Sequence, residues 1–382
     1  MNSKLENNAL SARGRSDDWM RSVAAHLGPL TAVADDFTRL TGVAVDLETE
    51  LFLRARLAGR APRGRTSAGG SCHLMRAADG WVAVTVARPD DHTAVPALLH
   101  LLGGMWHADG HTVQQLRRAV AARPAADVVR HARLLGVAAA SLGSEQRGRL
   151  PVLRRQVGRA GASRHARAVR VTDFSALWAG PLCARLLGLA GARVVKVEST
   201  DRPDGARRGT PAFYRRLHQG HRGVVLDFTD REALQGVVAD ADIVIEASRP
   251  RALRRLGLDA ERFLTARPGR VWLSITGYGR ADDRVAFGDD AAVAGGLVAH
   301  LPDGGGPEFL GDALADPVTG VYAAHAVARS LAEGGGHLVC VSMAACAAEL
   351  AASEGRDANP QAPGDRPCRP DGRRLAKGVR PC

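Results

Sequence analysis

Between Val169 and Ser199 the chain reads VRVTDFSALWAGPLCARLLGLAGARVVKVES, two apolar, β-branched stretches on either side of a short helical one. No other feature restricts the fold as much. Strands this apolar are buried on both faces, and a helix between two of them is the crossover that joins parallel neighbours. Pro181 suits the first turn of that helix and Gly191 its C′ position. Leu182, Leu186 and Leu189 fall at i, i+4 and i+7, so one face can cover a sheet. The unit is therefore βαβ, and the loop Ser175 to Gly180 leaves the carboxyl end of its first strand, where open α/β sheets bind ligands. It lacks the GxGxxG of dinucleotide sites.

The alternation continues downstream. Gly223 to Phe228 reads as a strand, and Thr229 with Glu232 as a capping box for a helix carrying Leu234, Val237 and Val238 inward. DIVIEA (242–247) and RVWLSI (270–275) are two further strands, separated by a helix around Leu253 and Leu256. GDDAAVAGGL, a DGGGP loop at 303–307, a helix from Val318 to Leu331, the strand HLVCVSM and a last helix after Met343 follow. Strands alternating with helices predict an α/β, doubly wound parallel sheet. Upstream, the stretches from Asp17 to Leu30 and Thr38 to Gly59 read as helices, giving an N-terminal helical region over 1–60. A Pro/Gly/Arg linker leads to a hairpin turning at Asp79 and Gly80, and helices at 95–102, 112–122 and 126–135 complete a smaller α+β domain. With the basic connection after Gln146 that unit spans 61–165, the larger unit 166–352, and a tail at 353–382 has too little apolar content to fold alone.

Composition excludes several classes of function. The net charge of +12 invites nucleic acid, but the cations are mostly scattered Arg and only 4% of residues are aromatic, too few for base stacking. No apolar run is long enough for a membrane helix and the N-terminus lacks a signal-peptide core, so a cytoplasmic protein without membrane contact is expected. The six Cys form no CxxC pair and have no His at ligand spacing, so no metal is expected and the thiols read as reduced and structural.

In order along the chain stand VTDFSALWAGPLCARLLGLAGARVVKVE, GVVLDF, ADIVIEASRPRALRRLGL, LSITGYG, FGDDAAVAGGL and GDALADPVTGVYAAHAV. Together they resemble the family III CoA-transferases, the carnitine/formyl-CoA transferase group that also holds the α-methylacyl-CoA racemases. The resemblance covers Ala168 to Ala351. It implies a Rossmann-like CoA-binding domain, a smaller domain completing the site, interlocked homodimers, and acyl-CoA with a small carboxylate as substrates. AGGSCHLMRAADGWVAV resembles the Gly-rich loop and hairpin of the family's small domain more loosely. That segment usually follows the CoA-binding half, whereas here it precedes it.

The resemblance implies roles residue by residue. Asp316, in ADPVTG, matches the nucleophile that forms an anhydride with the acyl group and then a thioester with CoA. From position alone, an Asp before Pro317 reads as a helix cap. Asp312 is a rival only by proximity and reads as a turn residue. Asp290 matches an active-site carboxylate, and Asp289 stands where racemases carry a His base, which favours transfer over racemisation; by position the pair reads equally as acids at a helix N-terminus. CoA is expected against Leu177, Trp178 and Ala179, against Ser248, and against Arg255, an Arg being suited to phosphate. Trp178, Ala247 with Ser248, and Phe287 depart from the family pattern. Trp178 either stacks on adenine or shapes the acyl pocket. The alternatives are a degenerate, non-catalytic CoA-binding member and an acyl-CoA racemase.

Overall fold

The computed structural model describes residues 22–353, apart from 62, 109–110, 146–147 and 302–303. The first residues of the expected helix at Asp17, part of the DGGGP loop, and the tail with Cys368 and Cys382 lie outside the described residues. Helix α1 (Gly28–Thr41) has Pro29 in its first turn and ends at Gly42, whose φ of 77° only glycine adopts readily. Helix α2 (Leu47–Ala58) starts where the Asp46 carboxylate accepts the Thr49 N–H at 3.1 Å. These two signals break the single helix expected from Thr38 to Gly59. Leu30, Phe37, Leu51 and Phe52 are buried in the same core as the main sheet, so the N-terminal helices belong to its packing.

The expected hairpin forms: β1 (Cys72–Arg76) and β2 (Trp81–Thr85) pair antiparallel with Met75 opposite Val82. Helices α3 (Pro89–Leu101), α4 (Thr112–Ala121) and α5 (Ala125–Leu134) bury Leu98, Leu116 and Val128 against it. A third strand, β3 (Ala138–Ser141), extends the sheet beside β2. Its sequence, AAAS, carries no β-propensity, which hid it. Strand β4 (Val152–Gln156) lies inside the stretch read as a connection.

Then follow β5 (Arg170–Asp173), α6 (Ala179–Leu189), β6 (Arg193–Ser199), α7 (Pro211–His218), β7 (Arg222–Leu226), α8 (Arg231–Ala239), β8 (Ile243–Glu246), α9 (Pro250–Arg255), α10 (Ala260–Ala266) and β9 (Val271–Thr276). After α11 (Gly288–Ala294) comes a small ribbon of β10 (Val298–His300) and β11 (Pro307–Phe309). Helix α12 (Ala315–Ala332), β12 (His337–Ser342) and α13 (Met343–Ala351) complete the chain. Seven strands form one sheet in the order β4-β12-β9-β8-β5-β6-β7. All neighbours are parallel except β4, which runs antiparallel along the β12 edge. Helices cover both faces, with Leu182, Val318 and Leu30 in one core and Leu234, Phe263 and Trp272 in the other. This is the expected doubly wound α/β sheet, and its order from β7 to β12 is that of a Rossmann fold.

Local details fix the sheet's working edge. Leu182 and Leu186 are buried as the helical spacing requires, while Leu189 at the end of α6 is exposed. Gly191 follows α6 at φ 94°, the conformation its C′ position needs. Helix α8 is capped by Asp230, which accepts the Ala233 N–H at 3.0 Å, instead of Thr229. The Thr229 hydroxyl is turned back onto Asp227 at 2.7 Å. Helix α12 packs closely on α6 because Gly320 has no side chain: a Cβ there would lie 2.8 Å from the Ala179 carbonyl and 2.9 Å from Leu182 Cβ. The winding direction reverses between β5 and β8, so the loops after these two strands flank the crevice where such sheets bind ligands.

Candidate active site

Four aspartates converge between the main sheet and the hairpin. Asp289 and Asp290 lie in the first turn of α11, Asp316 in the first turn of α12, and Asp312 in the bend just before it. Asp290 is completely buried. It accepts the Thr85 hydroxyl at 3.1 Å, the Tyr278 hydroxyl at 3.1 Å and the Phe287 N–H at 2.8 Å. Asp289 accepts the Ala313 N–H at 3.0 Å. Asp312 is not a plain turn residue. It accepts the Arg54 Nε at 2.7 Å, and a second Arg54 nitrogen binds its other oxygen, a bidentate pair joining α2 to the start of α12.

Asp316 differs from the other three. Among the described residues no donor is bonded to its carboxylate, and it is the one of the four that is not buried, Asp289 being 7% exposed and the other two 1% or less. The N-cap of α12 is Leu314, with no side-chain cap bond, so the capping role open to Asp316 by position is not realised. Its Oδ2 rests against the Cα of Gly288, where a Cβ would come within 2.5 Å. Desolvation raises its pKa to about 7, with Arg54 opposing and Asp289, Asp290 and Asp312 adding to the rise. Burial likewise lifts Asp290 to about 7, against its three hydrogen bonds, and Asp289 to about 6, reinforced by Asp312. Carboxyls crowded together and largely desolvated are thus pushed up toward neutrality.

Of the residues expected to hold CoA, Leu177, Trp178 and Ser248 lie on the loops after β5 and β8, and Ala179 and Arg255 on the helices that follow them. Leu177, in the loop after β5, is partly exposed at φ 70°, an uncommon conformation for a non-glycine residue. Its N–H donates to Asp204 at 3.0 Å. Ala179 begins α6. Trp178 is only 1% exposed, with its ring edge-on to Phe213 at 5.1 Å and the Arg54 guanidinium 4.7 Å above it. An enclosed ring offers no face to adenine, so of its two expected roles stacking is lost and shaping the pocket wall remains. Ser248 follows β8, its hydroxyl buried without a hydrogen-bond partner. Arg255 ends α9 with an exposed side chain and makes no contact with the aspartate cluster.

Sequence reading missed the groups that hold this architecture. Arg54 comes from a helix assigned no chemistry, and it pairs across 258 positions. Thr85 reaches Asp290 across 205. Under the β5 loop, Lys196 Nζ donates to the Ser175 carbonyl and lies 3.2 Å from Asp204, both side chains being buried. Burial alone would raise Glu198, but hydrogen bonds from Arg207, the Asp204 N–H and Tyr214 hold it at about 2. A buried network of this kind fixes the loop without exposing it.

The site is thus a buried carboxylate cluster beside a doubly wound α/β sheet. Residues 167–378 match the profile of CoA-transferase family III, and the chain belongs to that family. It is 29% identical over 184 residues to a succinate–glutarate CoA-transferase of Agrobacterium fabrum, covering 43% of this chain and 46% of that one. It is 28% identical over 171 residues to a succinyl-CoA–D-citramalate CoA-transferase of Chloroflexus aurantiacus, covering 41% and 42% respectively. A solved hypothetical protein from Mycobacterium tuberculosis overlays with a TM-score of 0.45 at 28% identity, covering 50% of this chain and 58% of that one. The chain spans less than half the length of these curated relatives. Among the described residues no helix is long and apolar enough to cross a membrane.

Proposed function

We propose that this chain transfers CoA from an acyl-CoA to a carboxylate, with Asp316 as nucleophile. One observation carries the assignment: of the four clustered aspartates, only Asp316 is both reachable by solvent and free of hydrogen-bond donors. Its ionised oxygen adds to the thioester carbonyl, the C–S bond breaks, and an acyl–aspartyl anhydride and a CoA thiolate result. The thiolate then attacks the aspartyl carbonyl, releasing the donor carboxylate and leaving an aspartyl–CoA thioester. The acceptor carboxylate reverses the two steps and leaves as the new acyl-CoA.

Asp290 acts beside it by holding Phe287, Tyr278 and Thr85, and with them the turn that seats Gly288 against the nucleophile. CoA lies across the β5 and β8 loops, near Leu177, Ala179, Ser248 and Arg255, with Trp178 behind them. The homodimer and cytoplasmic setting implied by the resemblance belong to the same reading. Relatives named for succinate, glutarate and succinyl-CoA make succinyl-CoA with glutarate the first pair to try. Incubation with succinyl-CoA followed by hydroxylamine is expected to leave a hydroxamate on the Asp316 peptide by mass spectrometry, and none in Asp316→Asn. If the wild type binds CoA but no acyl-CoA marks Asp316, the chain is a non-catalytic CoA-binding member. Deuterium entering the α-carbon without acyl exchange would instead identify an isomerase.

A further inference from the structure

We infer that the cleft between the β1–β2 hairpin, α4 and β11 binds a phosphate-bearing small molecule at a site of its own. The cleft holds about 580 Å³ and is lined by Arg63, Arg65, Arg76, Arg117, Trp81 and Glu308, among others. None of the four arginines is ion-paired among the described residues. Arg65 donates to the Gly305 carbonyl, yet its buried Nε has no partner. The Arg65 and Arg76 guanidinium groups lie 4.5 and 5.6 Å from the centre of the Trp81 ring. The charge of Arg117 is felt at His73, whose pKa burial lowers first and Arg117 lowers further.

The backbone beneath these groups is fixed. Arg63 and Thr66 exchange hydrogen bonds at 3.1 and 3.2 Å, the Leu74 N–H binds the Arg65 carbonyl, and the Phe309 N–H binds the Gly64 carbonyl, both at 2.9 Å. A second arginine cleft, of about 470 Å³, shows the contrast. There Arg155 meets Glu261 at 2.9 Å and Arg251 meets Asp283 at 3.4 Å, while Arg254 turns to Asp259 at 3.6 Å. That cleft is largely neutralised by the protein, whereas the first holds four cations against Glu308 alone. Like charges gathered on a fixed frame repel, and a ligand with two or more negative charges relieves the repulsion. The guanidinium fork matches phosphate oxygens in particular. All four arginines precede the family-matched residues 167–378, and none touches the aspartate cluster.

Equilibrium binding to the full chain at low and 150 mM salt tests this with inorganic pyrophosphate, inorganic triphosphate and fructose 1,6-bisphosphate, none of them a piece of CoA that the β5 and β8 loops would claim. Saturable binding of the inorganic probes points to a simple phosphate ligand, and binding of the bisphosphate alone to a phosphorylated sugar. In either case R76E/R117E is expected to weaken binding at least tenfold and E308Q to tighten it a few-fold, with R155E and D316N unchanged and all variants folded by circular dichroism. If none of the three probes binds, or if binding survives R76E/R117E or falls equally in R155E, the inference is overturned.

Discussion

Gly288→Ala should disable the site without unfolding the protein. A Cβ at 288 would stand 2.5 Å from Asp316 Oδ2, 2.5 Å from the Ala313 carbonyl oxygen and 2.8 Å from Ala313 Cβ, where ordinary contact begins at 3.4 Å. About 0.9 Å of overlap must therefore be relieved. The Ala313 peptide resists: its N–H is bonded to Asp289 at 3.0 Å, its carbonyl accepts the Asp316 N–H at 2.9 Å, and its φ is already positive at 49°. The Asp316 carboxylate is held by no donor and gives way first, and the remaining clash with the Ala313 peptide pushes on the turn that leads into Asp316.

A nucleophile displaced by about 1 Å loses roughly 100-fold in rate, while overpacking of this kind costs about 1–3 kcal/mol of stability. Single-turnover transfer from the thioester that labels Asp316 reads the first quantity and urea unfolding the second. Gly236→Ala is the control, because a Cβ there, within α8, meets nothing within 4 Å. It should gain up to about 1 kcal/mol from helix propensity and leave the rate alone. A folded G288A enzyme working within twofold of wild type would refute the seating of Asp316 against Gly288.

Two further outcomes follow from the charges. Because Asp316 and Asp290 titrate at about 7 and Asp289 at about 6, the native state takes up protons that the unfolded chain, with carboxyls near 3.9, does not. Stability should therefore fall as pH rises from about 4 to 7, whereas the transfer rate, which needs ionised Asp316, should rise through about pH 7. Asp290→Asn should flatten the stability curve in urea titrations and lower the midpoint of the rate profile, and an unchanged midpoint would deny the coupling. Arg54→Met strips Asp312 of both its bonds and Asp316 of the cation that lowers its pKa, at a cost of about 3 kcal/mol and an upward move of roughly one pH unit in the rate midpoint. Adding Asp312→Asn should restore the stability and return the midpoint only in part, because Asp312 is the least of the charges that raise Asp316; full recovery of both would mean that Arg54 acts only through Asp312.

Local pattern made most of the large sheet legible, since β5, β6, β8 and β9 each carry β-branched residues, are almost wholly buried, and are separated by helices with recognisable ends. What stayed hidden was set at long range. In β4, VLRRQ, only Val152 is buried, because an antiparallel edge strand leaves Arg154 half-buried and Arg155 exposed, where they pair with Glu333 and Glu261. No periodicity marks such a strand. The same reason hid Arg54, whose partner stands 258 positions away. Asp316 and Asp290 were visible through the motifs around them, but the difference between them, one free and one fully bonded, exists only once Thr85 and Tyr278 arrive.

That arrival shows how a hairpin placed ahead of the sheet reaches the aspartate cluster. Thr85 and Arg54 both come from chain preceding the family-matched residues, yet they bind Asp290 and Asp312 directly. Cys72, Leu74 and Ala83 of the hairpin share a core with Val293 of α11 and Phe309 of β11, so the hairpin is docked by apolar packing. A contact depends on where its partners lie in space. The order of their segments enters only through loop closure, which costs roughly 0.6 kcal/mol for each doubling of length. Against several buried hydrogen bonds and a shared core that penalty is small, so a long sequence separation does not keep these segments from the cluster. The basic cleft lies on the far part of the same hairpin, at Arg76 and Trp81, which makes the leading segment both a wall of the aspartate site and the frame of a second one.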